Sequence, residues 1–436
     1  MKRDLYQTLI EWKHEQHRFP LLLRGARQTG KSYLVTQFGE KEFDRIITLN
    51  FERNPEFKEI FSSNDPEEIL ERIMLFTGTR PKSGGSLLFL DEIQECPEAI
   101  TSLRYFYEEL PELHVIGAGS LLEFALRSKD IRVPVGRIQY LYLYPLSFGE
   151  FLDATGEIEL RQHVKRPENL KNLPGGVHNK LIELVKKYYL IGGMPKAVQT
   201  YVTTGELSHC QKIQQSILDT YQDDFAKYAR ESMHGHLKKV FEAASTTVGQ
   251  RMIYAGIDSQ SRSRELKKAL ELLETAGIVT RVSQTNASGV PLSSGRHHSI
   301  FKVIFLDVGL MHAMNNIYPE TVRSKDLNAI FRGGVAEQFA GQEIVAYQSP
   351  FRRKNLYFWG RQAKNSTAEI DYLVDMDAQV VPVEIKSGPK GHLKSLFMYI
   401  EKHRSERAYI VSQAPYKKEG PLYSIPFYAM EAFFRK

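Results

Sequence analysis

Short apolar runs punctuate the first third of the chain, at Leu21–Leu23, Ile46–Phe51, Leu87–Leu90, His114–Ile116 and Ile138–Tyr144. Runs of this length, bounded by polar and turn-forming residues, predict strands buried on both faces. The segments between them carry helical spacing instead. Ile100, Leu103, Phe106 and Tyr107, for example, would line one side of a helix. Strand and helix in alternation imply a parallel sheet covered by helices. A polar stretch with Pro167, Pro174, Gly175 and Gly176 breaks the pattern. Mainly helical periodicity follows, through Leu181–Leu190, Gln211–Tyr228, His236–Ala244 and Ser263–Ala276. A short β segment, Ile278–Val282, then leads into a Ser-, Gly- and His-rich loop at Ser283–Ser299 and a returning strand at Ile300–Leu306. From near Gly333 the pattern predicts helix Val335–Tyr347, strands Leu356–Trp359, Ile370–Val374 and Val380–Lys386, helix Leu393–His403 and strand Ala408–Val411. The fold class is therefore α/β, in three parts: 1–160, 178–325 and 330–436.

Size and composition agree with that division. At ~150 residues per domain, 436 residues allow about three. An apolar share of 42% with 25% charged residues is a globular mixture, not a disordered one. No apolar run approaches the ~20 residues that span a bilayer, and Met1-Lys2-Arg3-Asp4 opens no secretory signal, so no membrane partner is expected. Cys96 and Cys210 belong to no CxxC pair, which excludes a disulfide framework and a cysteine-based zinc site and points to the cytoplasm.

The sharpest local pattern is Gly25-Ala26-Arg27-Gln28-Thr29-Gly30-Lys31-Ser32, a complete G-x(4)-G-K-[ST] between a predicted strand and a predicted helix. Glycines let the backbone wrap a phosphate, and the N–H groups at a helix start favour an anion. Lys31 would reach the β and γ phosphates of ATP, and the Ser32 hydroxyl would ligate Mg²⁺. Leu87-Leu88-Phe89-Leu90-Asp91-Glu92 ends a strand in two carboxylates. Asp91 would hold the Mg²⁺ shell and Glu92 would orient and deprotonate water, which favours an ATPase over a small-molecule kinase. Ser120, after the next strand, is either a γ-phosphate sensor or a plain turn serine. Arg137 is either a finger or sensor arginine or a surface ion-pair residue.

At this point the chain resembles the prokaryotic AAA-type ATPases that join an N-terminal P-loop domain to a C-terminal restriction-endonuclease-like, PD-(D/E)XK domain. The resemblance rests on the loop at 25–32, Phe89-Leu90-Asp91-Glu92-Ile93-Gln94, Gly136-Arg137, Tyr144-Pro145-Leu146-Ser147-Phe148-Gly149-Glu150-Phe151 and Gly192-Gly193-Met194-Pro195. It spans essentially the whole chain. It implies a winged-helix middle segment and, from the ring-forming habit of AAA-type proteins, a homo-oligomer.

Between Lys227 and Lys302 twelve Lys/Arg face six Asp/Glu, an excess equal to the +6 of the whole chain. Arg262, Arg264, Lys267 and Lys268 fall on the polar side of a helix packed through Ala269, Leu270, Leu272 and Leu273, ahead of a hairpin placed like a wing. Such a helix suits a DNA groove, and equally a solvated lid face. In the last part, Glu337, Asp371, Glu384 and Lys386 match the E…D…ExK arrangement of restriction-endonuclease-like folds. Glu337, Asp371 and Glu384 would bind a second divalent ion, and Lys386 would steady the attacking water. Phe358 and Trp359 are expected in the core, His297-His298 in a loop without metal partners, and Asp223-Asp224 on a solvated face. Two functions remain: an Mg²⁺-dependent ATPase coupled to nucleic-acid binding or cleavage, with DNA preferred over RNA, or an ATP-dependent regulator with a non-catalytic nuclease-like domain.

Overall fold

The structure, a computed structural model, describes residues 1–127, 134–287, 289–317, 334–353, 355–361, 368–387 and 393–435. Gly333, near which the third part is expected to open, lies outside them. The chain divides into two compact units, one of residues 2–144 and 350–353, the other of residues 145–349 and 354–436 with Met1.

The first unit is a parallel five-stranded sheet. Its strands are β1 (Leu21–Arg24), β2 (Arg45–Asn50), β3 (Ser86–Asp91), β4 (His114–Ala118) and β5 (Gln139–Tyr142), in the order β2-β3-β4-β1-β5. Every residue of β3 and β4 is buried, because helices cover both faces. Alternation divides β3 between two cores: Leu88 and Leu90 pack with Ile100, Leu103 and Phe106, and Leu87 and Phe89 pack with Leu34, Val35 and Phe38. The segments after β1 and after β3 follow the C-terminal ends of parallel strands and so lie at one end of the sheet. The unit is mixed α/β, built on a parallel sheet.

The second unit surrounds an eight-stranded mixed sheet with helices. Its strands are β6 (Val279–Thr285), β7 (Arg296–Phe305), β8 (Leu356–Gly360), β9 (Glu369–Met376), β10 (Gln379–Ile385), β11 (Ala408–Ser412), β12 (Lys417–Glu419) and β13 (Leu422–Pro426), in the order β12-β13-β11-β10-β9-β8-β6-β7. The hairpin β6–β7 is not a free wing. Val282, Ser283 and Gln284 of β6 pair in parallel with Leu356, Tyr357 and Phe358 of β8, so the hairpin continues the sheet of the last part. The loop expected from Ser283 is strand through Thr285, and β7 starts at Arg296. Backbone pairing overrides the polar sequence there, and Gln284 is buried with its Nε2 donating to the Gly360 carbonyl at 2.9 Å.

Two of the motifs quoted above are structural. A Cβ on Gly193 would meet the Leu146 carbonyl oxygen at 2.1 Å, and one on Gly192, whose φ is 71°, would meet Asp307. Ser147 and Glu150 form a capping box at the start of helix Phe148–Ala154. Buried Glu343 accepts the Phe148 N–H at that helix start, at 3.1 Å. Asp224, expected on a solvated face, is buried 3.6 Å from Lys227, whereas Asp223 is exposed. Phe358 and Trp359 are core residues, and His297 contacts Asn286 at 2.7 Å.

Candidate functional site

The loop after β1 turns under tight steric limits. Gly25 has φ 147°, and a Cβ there would lie 2.2 Å from the Leu143 carbonyl oxygen. Gln28 and Gly30 also take positive φ, 63° and 91°. Helix Lys31–Glu42 begins directly after Gly30, so its unpaired N–H groups open onto the loop. Thr29 fixes the turn from within, its Oγ1 donating to the Ala26 carbonyl at 3.0 Å while its own carbonyl accepts from Arg3 at 2.9 Å. Lys31 is buried, and its Nζ donates to the Gly25 and Ala26 carbonyls at 2.9 and 2.8 Å. Burial lowers its pKa to about 8, against the opposing pull of Glu92 and Asp91.

Asp91 and Glu92 meet this loop from the end of β3. The Ser32 hydroxyl donates to Asp91 Oδ1 at 2.9 Å, and Asn50 Nδ2 donates to Asp91 Oδ2 at 2.9 Å. Burial raises the Asp91 pKa, with the Ser32 hydrogen bond opposing. Glu92, at φ 49°, turns away from the strand, and its Oε2 accepts from Gln94 Nε2 at 2.8 Å and from the N–H and hydroxyl of Ser120 at 3.1 Å each. Burial alone would raise Glu92, but the hydrogen bonds from Gln94 and Ser120 and the charge of Lys31 outweigh it and lower the pKa. Arg27 Nε closes the chain of contacts by donating to Ser120 Oγ at 3.1 Å.

The structure therefore gathers residues 25–32, Asp91, Glu92 and Ser120. It does not gather Arg137. That residue precedes β5, whose Gln139 is level with Leu21 at the start of β1, so it lies at the far end of the sheet from Lys31. Its Nε donates to Glu108 at 2.8 Å, as the ion-pair alternative expected. Sequence reasoning missed Asn50, whose only signal is a polar residue closing an apolar strand. Serine and aspartate oxygens backed by Asn50 are a donor set that fits Mg²⁺, which takes few protein oxygens and keeps its waters.

In the second unit, the register Val383↔Tyr372 sets Asp371 beside Glu384 on neighbouring strands. Asp371 Oδ2 accepts the Ile385 N–H at 2.7 Å, and Lys386 Nζ lies 2.6 Å from Glu384 Oε1. Glu384 Oε2 is buried without a hydrogen-bond partner. Glu337 arrives from helix Gly334–Tyr347. Two residues that sequence reasoning missed complete the group. Lys302 of β7, 3% exposed, has its Nζ 3.1 Å from Glu337 Oε2, 2.5 Å from Glu369 Oε1 and 3.9 Å from Asp371 Oδ1. Burial raises the Glu337, Asp371 and Glu384 carboxyls. Burial would lower Lys302, but Glu337, Asp371 and Glu369 reverse that and its pKa rises.

A second divalent ion does not fit this arrangement. It would need several carboxylate oxygens converging at 2.0–2.6 Å, and an ammonium already stands against three of these carboxylates. Among the described residues no group of three or more His, Cys, Asp or Glu side chains is placed to hold a metal. Elsewhere in the unit, Arg264, Lys267 and Lys268 are exposed along helix Ser263–Thr275, with Arg262 exposed just before its start, and the helix packs through Leu266, Ala269, Leu270 and Leu273. No helix among the described residues is long and apolar enough to cross a membrane.

Residues 17–152 match the model of an AAA domain. Residues 182–321 and 332–426 match two domains of unknown function, DUF8612 and DUF4143. No curated protein matches the chain. Solved structures that it overlaps include the Walker-type ATPase PABY2304 of Pyrococcus abyssi, at 16% identity over 72% of this chain and 95% of that one, with a TM-score of 0.44. The Aeropyrum pernix ORC1 protein in complex with DNA overlaps at 15% identity over 73% and 92%, with a TM-score of 0.28. The Thermotoga maritima RuvB Holliday junction branch migration motor does so at 14% over 65% and 90%, with a TM-score of 0.29. The chain thus carries an AAA-type P-loop ATPase domain, joined to segments whose families have no assigned role.

Proposed function

We propose that the protein hydrolyses Mg²⁺-bound ATP at the loop Gly25–Ser32 and uses the cycle to govern engagement of nucleic acid, DNA rather than RNA, by its second unit. The observation that carries the ATPase is the joined pair of contacts Ser32–Asp91–Asn50 and Gln94–Glu92–Ser120. The first prepares oxygens beside the loop, and the second holds an ionised carboxylate next to them. Lys31, once its loop carbonyls release it, places a positive charge on the β and γ phosphates. Magnesium, when held by Ser32 and Asp91, offsets the charge of the phosphates. Glu92 orients a water and takes its proton, and Ser120 governs when that carboxylate is free to do so. Arg137 would reach a nucleotide only on a second copy of the chain, so the finger role goes with a homo-oligomer.

The exposed row Arg262, Arg264, Lys267 and Lys268 supports the nucleic-acid part. A second reading, in which the nuclease-like sheet recognises its partner without cutting it, is favoured by Lys302 among the carboxylates. Glu92→Gln tests the ATPase. The variant keeps the phosphate contacts and removes the base, so fluorescent-nucleotide affinity should hold while steady-state phosphate release falls at least ~100-fold, the lower end for a general base. Release within two-fold of wild type would count against the assignment.

A further inference from the structure

The E…D…ExK residues match the sequence pattern of a metal centre, yet cations of the same chain already stand against them. Glu337, Glu369, Asp371 and Glu384 bring four carboxyl groups. Lys302 stands against the first three, Arg251 Nη2 lies 3.0 Å from Glu369 and Lys386 pairs with Glu384. The position of Lys302 is built, not incidental. It lies within β7 between buried Phe301 and Val303, with its ammonium 5.3 Å from the centre of the Phe358 ring. Gly249, at φ 77°, leaves room on the other side, where a Cβ would come within 2.9 Å of Glu337 Oε1. A buried lysine is tolerated only when paired, and a buried carboxylate cluster only when neutralised. Each answers the other's need. A divalent ion entering the cluster would have to displace a buried ammonium into apolar surroundings, or sit beside it.

We propose that Lys302 is the resident cation of this cluster: it holds the seat a divalent ion would take, and a centre with nuclease-like carboxylates is kept closed to metal by its own chain. The proposal rests on the nuclease-like reading of the last part of the chain. It adds that the closing residue lies on β7, far upstream in sequence of the three carboxylates it contacts. The cluster is then a latent site for a hard divalent cation, opened by loss or withdrawal of one side chain.

The test is calorimetric titration of the nucleotide-free, full-length protein with Mn²⁺. It compares wild type, Lys302→Met, Lys302→Gln, and each of the three with Asp371→Asn added. Subtracting the Asp371→Asn partner removes any weak binding at the P-loop. Wild type should show no Asp371-dependent site. Lys302→Met and Lys302→Gln should gain one, at least about ten-fold tighter than anything wild type shows, a factor worth ~1.4 kcal/mol. Unpaired carboxylates will lower the stability of both variants, so thermal melts accompany the titrations: Mn²⁺ should raise their Tm by more than that of their Asp371→Asn partners, and should shift wild type no more than its own partner. Asp371-dependent Mn²⁺ binding in wild type would overturn the proposal while leaving a metal centre standing. Folded Lys302 variants that gain no site and no thermal shift would overturn both the proposal and the nuclease-like reading.

Discussion

Single side chains set the chemistry of the first unit, and Asn50 shows how. It closes β2 one strand away from Asp91, and its amide holds the carboxylate oxygen that Ser32 does not. Such supporting contacts orient a ligand more than they bind anything themselves, and losing one typically costs 10–100-fold in metal affinity or activity. Asn50→Ala should therefore raise the Mg²⁺ concentration for half-maximal ATP hydrolysis by ~10-fold. Metal-free nucleotide affinity should stay as it was. A magnesium titration of turnover checks this, and an unaltered midpoint would remove Asn50 from the site.

Helices and strands are held together by buried polar groups, and Glu343 is one whose contribution depends on pH. It joins helix Gly334–Tyr347 to the start of helix Phe148–Ala154, and burial pushes its pKa up to about 8. An unfolded glutamate titrates near ~4.3. Between those values the folded state holds a proton that the unfolded state has lost, so stability falls as pH rises through that window and levels off above it. Glu343→Gln removes the titrating carboxyl. Its Tm relative to wild type should improve from pH 5 to pH 8.5, and a constant difference across that range would refute the assignment. The same scale shows what was legible beforehand. The first sheet could be read because each of its central strands is a buried apolar run, and the nucleotide loop because its residues are contiguous. The end of β6 could not, since Ser283–Thr285 owe their strand to pairing with β7 and β8. Nor could β12, an edge strand whose residues are all exposed. Lys302 and Glu369 escaped notice because nothing local marks them; only the fold brings the side chain of Lys302 to Glu369 of β9 and to the helix bearing Glu337.

For the whole molecule, the charge excess of the middle segment should appear as salt-sensitive nucleic-acid binding. Each duplex phosphate neutralised contributes ~0.9 to the slope of log K against log[salt]. Reversing Arg262 and Arg264 to glutamate should flatten that slope by up to ~2 on the same scale. Fluorescence anisotropy with duplex DNA over a salt series reads it, and an unchanged slope would return this helix to a solvated face. The eight-stranded sheet has a different consequence. The boundary between the two families of unknown function falls between residues 321 and 332, yet the sheet runs across it from β6 to β8. A chain cut there would leave the wholly buried β8 as a bare apolar edge, open to pairing with any passing strand. The two segments therefore share one folding unit, and separating them would leave each with an unpaired strand.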